Sequence, residues 1–581
     1  MNSLMLLVKI ISIPSKTFGG KYPKYKDGVY AASRPFPISE ERTWRCFVQK
    51  ATKEYDELEV YLDAHQVEVL ANEEEEMEEE EPINLRPDLS KEKDDKLITS
   101  KLISGIIFSK IVADADYKVR YIIKDIYDLF QVSVSYKKCW LAKSNAIQRL
   151  YGSWEDSYNK LLPLLAALIQ SNPGSVAEIQ MRPTTTPYTF QLMYVFWSFK
   201  ASIDGFKYCF PVISVDGTHL YGKYKGVLLL AVIMTANHEI YPLAYSLVDK
   251  EDGDSWSWFM MHLMHYVVPY DMSVCIIFDR HGGIDVAFNT IPQLLEQRVT
   301  RRYCLRHLRS NFQKKFNSKK LKGLMYDAAS TPDVSEFNRT MQQIKSQREE
   351  AYDWLLALPL EKWALCSDGG ARYGILTTNL SESYNHVLKG CRSLPVYAIV
   401  KTTYERLVKL FAERRTNGFT WLQAGFKFPK YIWNEVRRME DHRLHCHVIP
   451  HHPQQGIYRV VVEGNAGATG RLDEIVVHLG QKFCTCGKWA TLHMPYVHVY
   501  AVCRYCNITV DDLIPRVFSL QNYLDAYSGN VMPLQNEIEW PTLGYELVHP
   551  FTGQKSQAGR PVSTRFTNNM DMRARRHRRG T

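Results

Sequence analysis

The stretch PVISVDGTHLYGKYKGVLLLAVIMTANHEIYPLAYSLV, Pro211 to Val248, decides the fold. Pro211 to Val215 is a β-rich run that closes on Asp216-Gly217, and Val227 to Thr235 and Ile240 to Val248 are two more. Turn signals at Gly222 to Gly226 and at Asn237-His238 separate them, so the spacing predicts an antiparallel meander of three strands. Downstream, Asp254 to Val268 reads as a helix, Val274 to Phe278 as a fully buried strand and Ile284 to Gln297 as a helix. Thr300 to Cys304 then reads as a short strand feeding another helix. A meander followed by alternating helix and strand implies a mixed sheet covered by helices, an α/β domain.

Outward from that core the pattern changes on both sides. Val119, Ile122, Ile123, Ile126, Tyr127 and Phe130 fall at helical spacing, and a second helix is predicted from Ser135 to the Tyr151-Gly152 stop, carrying Lys137, Lys138, Lys143 and Arg149. Such a basic helix pair suits either DNA or an ordinary solvated face. Residues 305 to 420 read as helical with a break at Ser367 to Tyr373, and Tyr458 to Val462 with Glu474 to His478 as a hairpin. No internal repeat is found.

At 581 residues and 45% hydrophobic the chain can bury several cores, which excludes a wholly disordered or fibrous protein. Its formal charge of +9 says less than its distribution, since residues 73 to 81 hold eight Glu and residues 559 to 581 hold seven Arg against one Asp. No apolar run approaches the roughly 18 to 20 residues of a bilayer span, so no membrane partner is expected. The N-terminus lacks a basic region and a cleavage site, which predicts no secretion. Twelve Cys over this length then read as thiols or metal ligands in a reducing compartment.

Asp216, Asp279 and Glu382 stand where an α/β sheet presents its chemistry, after a buried strand or on a helix beside it. If the strands of Asp216 and Asp279 are neighbours, their carboxylates converge, and a third from a helix completes a set of hard oxygen ligands for Mg²⁺ or Mn²⁺. Taken singly, Asp216 is equally a turn residue, Asp279 a helix cap and Glu382 an exposed helical acid. Spacing alone leaves these alternatives open.

The quoted stretch, continued through DKEDGDSWSWF, resembles the transposase core of plant Mutator-like elements, the MULE or MuDR family. FDRHGGI around Asp279, RRYCLRHLRSNF with Cys304 and His307, and TTNLSESYNHVLKGCRSLPV around Glu382 match in order, and the similarity extends over roughly 98 to 571. The resemblance implies an RNase H-like mixed sheet with a helical insertion at about 320–375, and a catalytic DDE triad of Asp216, Asp279 and Glu382. It also implies divalent-metal-dependent DNA cleavage at element terminal repeats followed by strand transfer. DNA is the implied partner, with no small-molecule substrate, and homo-oligomerisation is left open. Cys304 and His307 match the family's CxxH motif, implying a site-adjacent or DNA-contacting place.

KFCTCGKWATLHMPYVHVYAVC resembles a SWIM zinc finger, with Cys484, Cys486 and His498 as Zn²⁺ ligands and Tyr496 where the family has a third Cys. His493, Cys503 or Cys506 could substitute, or the finger could persist through packing alone. The upstream Cys/His-rich module of many relatives has no counterpart before Cys139. The expected organisation is a disordered or poorly ordered acidic leader (1–97), a helical region (98–200), the DDE core (201–425), a zinc-finger-like module (456–510) and a Pro-punctuated region with an Arg-rich tail (511–581). In that tail Arg575, Arg576 and their neighbours suit phosphate contact or nuclear import. Two functions follow: a transposase, or a domesticated non-catalytic nuclear protein that binds DNA or regulates transcription on the same fold.

Overall fold

The computed structural model describes residues 18–26, 29–38, 59–62, 98–115, 117–280, 282–462, 474–541 and 547–550. The chain divides into two units, Met1–Asp94 and Asp95–Thr581. In the first, β1 (Phe18–Lys26), β2 (Val29–Ile38) and β3 (Glu59–Leu62) form an antiparallel sheet in the order β2-β1-β3. This is regular backbone inside the stretch for which composition predicts a poorly ordered leader. The residues between β1 and β2 are Asp27-Gly28, a hairpin signal that favours pairing despite the absence of long-range periodicity. The Glu run lies outside the described residues.

The second unit begins with three helices, α1 (Ser100–Ala113), α2 (Val119–Phe130) and α3 (Tyr136–Tyr151). The Thr99 hydroxyl accepts the Leu102 N–H at 3.2 Å to start α1, and the Ser135 hydroxyl accepts that of Lys138 at 3.4 Å to start α3. Gly152 ends α3 with a positive φ of 84°. Ile103, Ile107, Ile111, Ile122, Ile126, Cys139 and Ala142 are all fully buried between them. Helix α4 (Asp156–Ser171) follows.

Residues 98–200 are not wholly helical as the sequence predicts, because β4 (Val176–Pro183) and β5 (Thr189–Ser198) come next. The sequence TFQLMYVFWS is rich in β-branched and aromatic side chains, lies beyond Pro183 and Pro187, and extends the main sheet by pairing Tyr194 with Val248. After α5 (Lys200–Phe206) the predicted meander is present as β6 (Val212–His219), β7 (Val227–Met234) and β8 (Ile240–Val248). Helix α6 (Gly253–His262), β9 (Val274–Phe278), α7 (Gly282–Thr290) and β10 (Val299–Tyr303) complete the domain. Helix α7 stops well before Gln297, since Pro292 has no N–H to continue it.

Across the sheet the order is β10-β9-β6-β7-β8-β5, with β4 on β5. β9 and β10 run parallel to β6, while β7, β8, β5 and β4 alternate in direction. Nearly every residue of β7 and β8 is buried, as expected for central strands covered on both faces.

Helices α8 (Leu305–Phe316), α9 (Lys319–Ser330), α10 (Val334–Gln347) and α11 (Glu349–Leu356) form the insertion. It has its own core of Leu308, Phe312, Met325, Ile344, Leu355 and Trp363. The chain returns to the sheet with α12 (Asn379–Val387) and continues through α13 (Val396–Gln423) and α14 (Lys430–His442). A second sheet of β11 (Cys446–His452), β12 (Ile457–Val462), β13 (Glu474–His478) and β14 (Phe483–Cys484) precedes α15 (Lys488–Leu492) and α16 (Val497–Tyr505). Finally α17 (Leu520–Ala526) leads to β15 (Leu547–His549), which joins the main sheet parallel to β5. None of the described helices is long and apolar enough to cross a membrane.

Candidate functional site

β6 and β9 are parallel neighbours, and their register pairs Ser214 with Ile277. Asp216 and Asp279 each lie two residues beyond that pair, so the ladder brings them level at the carboxyl end of β9. Asp216 does not close its strand, as Asp-Gly suggests. β6 runs on to His219, with Asp216 opposite Leu230 of β7. At Gly217 a Cβ would stand 2.9 Å from Glu251 Oε1, the movable end of that side chain. Glu251 is held by the Trp256 indole N–H at 3.3 Å and is a further acid facing Asp216.

Asp216 Oδ1 accepts the Gly217 N–H at 3.0 Å, and its Oδ2 accepts the Asn385 side-chain amide at 2.7 Å. Burial first, and then the charge of Asp279, push the Asp216 carboxyl up to about 6. Helix α12 is docked on the sheet by the Ser381 and Ser214 hydroxyls, 2.9 Å apart, and by the Tyr384 and Tyr245 hydroxyls, 2.6 Å apart. Glu382, in its first turn, pairs with Arg306 through Oε2 and lies 3.5 Å from His307 Nε2 through Oε1.

Cys304 precedes α8 and is buried, its sulfur accepting both the N–H and the hydroxyl of Thr378 at 3.2 Å. Burial raises this thiol, but His307 and Thr378 outweigh it and leave it below its ordinary range. His307 is raised, by Cys304 first and further by Asp279 and Asp216. The structure therefore gathers Asp216, Asp279, Glu382, Cys304 and His307 at one place, with Arg306, Asn385 and Glu251 added. Asn385 was findable in the sequence, since position +3 from Glu382 shares its helix face.

Among the described residues, the group of three whose ligand atoms all lie within 4.8 Å of one another is Cys484, Cys486 and His498, all buried. The three carboxylates are more widely spaced. Cys484 Sγ lies 3.2 Å from Cys486 Sγ and 3.6 Å from His498 Nδ1. The Cys484 thiol and then His498 favour the Cys486 thiolate, so the pair gives up one proton readily, as metal ligation requires. Gly487 makes the following turn at φ +73°, where a Cβ would meet the Pro332 carbonyl oxygen at 2.3 Å.

None of the expected substitutes joins this group. His493 Nε2 bonds the Gly370 carbonyl at 2.7 Å and its ring stacks on Tyr373 at 4.0 Å. Cys503 is packed in the module's core and Cys506 sits by the Tyr458 hydroxyl. The Tyr496 hydroxyl accepts from Lys488 Nζ at 2.9 Å, with the ammonium 4.1 Å from the ring centre. Arg575 and Arg576 lie outside the described residues.

Residues 212–311 match the family model of the MULE transposase domain. The matched segment runs from the first residue of β6 into α8 and contains Asp216, Asp279, Cys304 and His307, while Glu382 lies beyond it. This part of the chain is thus similar to the transposase domain of Mutator-like elements. No curated protein matches the chain.

Proposed function

We propose that residues 201–425 form an RNase H-like DDE transposase core that cuts DNA strands and joins the freed 3′ ends to a target. The strand order β8-β7-β6-β9-β10, a meander with two parallel strands added beside its first member, supports the RNase H-like reading. The observation that carries the function is the β6–β9 register, which sets Asp216 beside Asp279 inside the segment similar to a transposase domain.

The donor set suits a hard divalent cation. Two carboxylates lie close enough for Asp279 to raise Asp216, and Glu382 meets positive charge from Arg306 and His307. Asp216, Asp279 and Glu382 would hold Mg²⁺ or Mn²⁺, which supply Lewis-acid stabilisation of the reacting phosphodiester oxygens. His307, whose imidazole is raised by Cys304 first and then by the acids around it, would offer a hydrogen-bond donor to a phosphate oxygen, with Cys304 and Thr378 fixing the turn it rises from. Cys484, Cys486 and His498 would hold Zn²⁺ in a SWIM-type module, and the Arg-rich tail with Arg575 and Arg576 would add salt-dependent DNA contact and nuclear import.

The test is nicking of supercoiled DNA by the purified chain with Mn²⁺ or Mg²⁺. Wild type should nick and Asp279→Ala should not; equal nicking by the two overturns the enzymatic reading.

A further inference from the structure

Asn385 lies one turn after Glu382 on α12, whose position is fixed by the Ser381–Ser214 and Tyr384–Tyr245 hydroxyl pairs. Its Nδ2 donates to Asp216 Oδ2 at 2.7 Å. The opposite amide orientation would set two acceptor oxygens at that distance, so the hydrogen bond fixes which way the group faces. That leaves Asn385 Oδ1 as a buried acceptor without a hydrogen-bond partner, on a residue only 8% exposed. An orphaned carbonyl oxygen is a penalty to folding, and a Leu of similar shape would avoid it. Here the orphan belongs to a side chain bonded to Asp216, whose carboxyl is raised by burial and then by the charge of Asp279, so a cation bound by Asp216 would lie within reach of this amide.

We propose that Asn385 is a neutral oxygen ligand of the divalent-cation site. Its N–H group holds the Asp216 carboxylate in place and its Oδ1 coordinates the cation that Asp216 binds. This rests on the DDE reading and extends it from three acids to a set of four residues, two of them one helical turn apart on α12. Neutral amide oxygens are accepted by Mg²⁺ and Mn²⁺ alongside carboxylates, and the Asn adds a ligand without adding to the charge repulsion at Asp216.

Mn²⁺ binding to the full chain without DNA, followed by the electron paramagnetic resonance of free Mn²⁺ at neutral pH, tests this against the DDE reading separately. Asp216→Asn should abolish binding; if it does not, the DDE site itself is wrong. Asn385→Leu removes both donor and acceptor and should weaken Mn²⁺ binding by about tenfold or more. Asn385→Asp loses the donor but keeps an oxygen at the Oδ1 position. It should bind Mn²⁺ as wild type does, and its melting temperature, lowered in chelator by the added charge, should recover when Mn²⁺ is added. A merely structural Asn gives the reverse pattern for Asp, with Mn²⁺ affinity lost as in Leu and no recovery of melting temperature. Either wild-type affinity in Asn385→Leu or lost affinity in Asn385→Asp overturns the proposal. Should the Leu variant fail to fold, the Asp variant still decides.

Discussion

Asp216 and Asp279 each lie two residues past the Ser214–Ile277 pair of adjacent parallel strands, and burial first and then the charge of Asp279 raise the Asp216 carboxyl. This relationship makes the site pH-dependent. The folded value of about 6 lies above the ordinary 3.8 of an aspartate, so between those values the folded chain holds a proton that the unfolded chain releases. Stability of the metal-free chain therefore falls as pH rises from about 4 to about 6, by up to about 3 kcal/mol for a shift of two units. Cation binding needs the ionised form and has the opposite slope. The rise in melting temperature on adding Mn²⁺ should be large above pH 6 and small below it, and a rise independent of pH would separate Asp216 from the cation.

Arg306 offers a second handle, because its guanidinium pairs with Glu382 Oε2 and so occupies a carboxylate that a cation needs. The pair is partly solvated, which limits its worth to about 1 kcal/mol. Replacing Arg306 with Gln should tighten Mn²⁺ binding by roughly threefold to tenfold while weakening DNA binding, as read by Mn²⁺ titration and by electrophoretic shift. Unchanged or weaker Mn²⁺ binding would mean that Glu382 does not contribute to the cation site.

Stability of the insertion rests on Asp368. Its Oδ1 accepts Arg302 Nε at 2.6 Å and Arg372 Nε at 3.1 Å, and its Oδ2 accepts the Arg372 backbone N–H at 2.9 Å. Arg372 is fully buried and also bonds the Tyr303 carbonyl at 3.0 Å and that of Lys362, so it ties β10 to the end of the insertion. Removing the acid leaves two buried guanidinium groups without a counter-charge. Asp368→Ala should cost about 3–5 kcal/mol in urea denaturation, whereas Lys409→Ala, at an exposed pair with Glu413, should change little.

The legible parts of this fold were those in which one physical signal dominated. β7 and β8 are apolar runs between turn residues, and both stand where periodicity puts them. Asp279 follows VCIIF, a run too short and too apolar for anything but a buried strand. Glu382 carries no such signal and is visible only through the motif around it. β5 escaped because TFQLMYVFWS follows long helical patterns and lacks alternation, being buried on both sides by strands and helices that come later in the chain. Asp-Gly marks a turn when read locally, so the sequence places Asp216 at a strand end. The strand continues instead because its ladder with β7 runs on to the pair of His219 with Val227, a pairing that no local pattern reports.

The Cys484–Cys486–His498 group makes the most specific chemical demand. Among the described residues three ligand atoms lie together, a tetrahedral site takes four, and none of Tyr496, His493, Cys503 and Cys506 is grouped with them. If this group holds a metal, its fourth position would be open to a small exogenous ligand, unlike that of a closed structural finger. Cobalt reports this directly, since Co²⁺ takes the same ligands as Zn²⁺ and its visible bands respond to what completes the set. The Co²⁺-loaded chain should show bands that shift when imidazole or a small thiol is added, and Cys484→Ser should lose them. Bands that imidazole leaves unmoved would mean that a protein group closes the site. Chelation should lower the melting temperature of the wild type but not of Cys484→Ser, because only a chain that holds the metal gains stability from it.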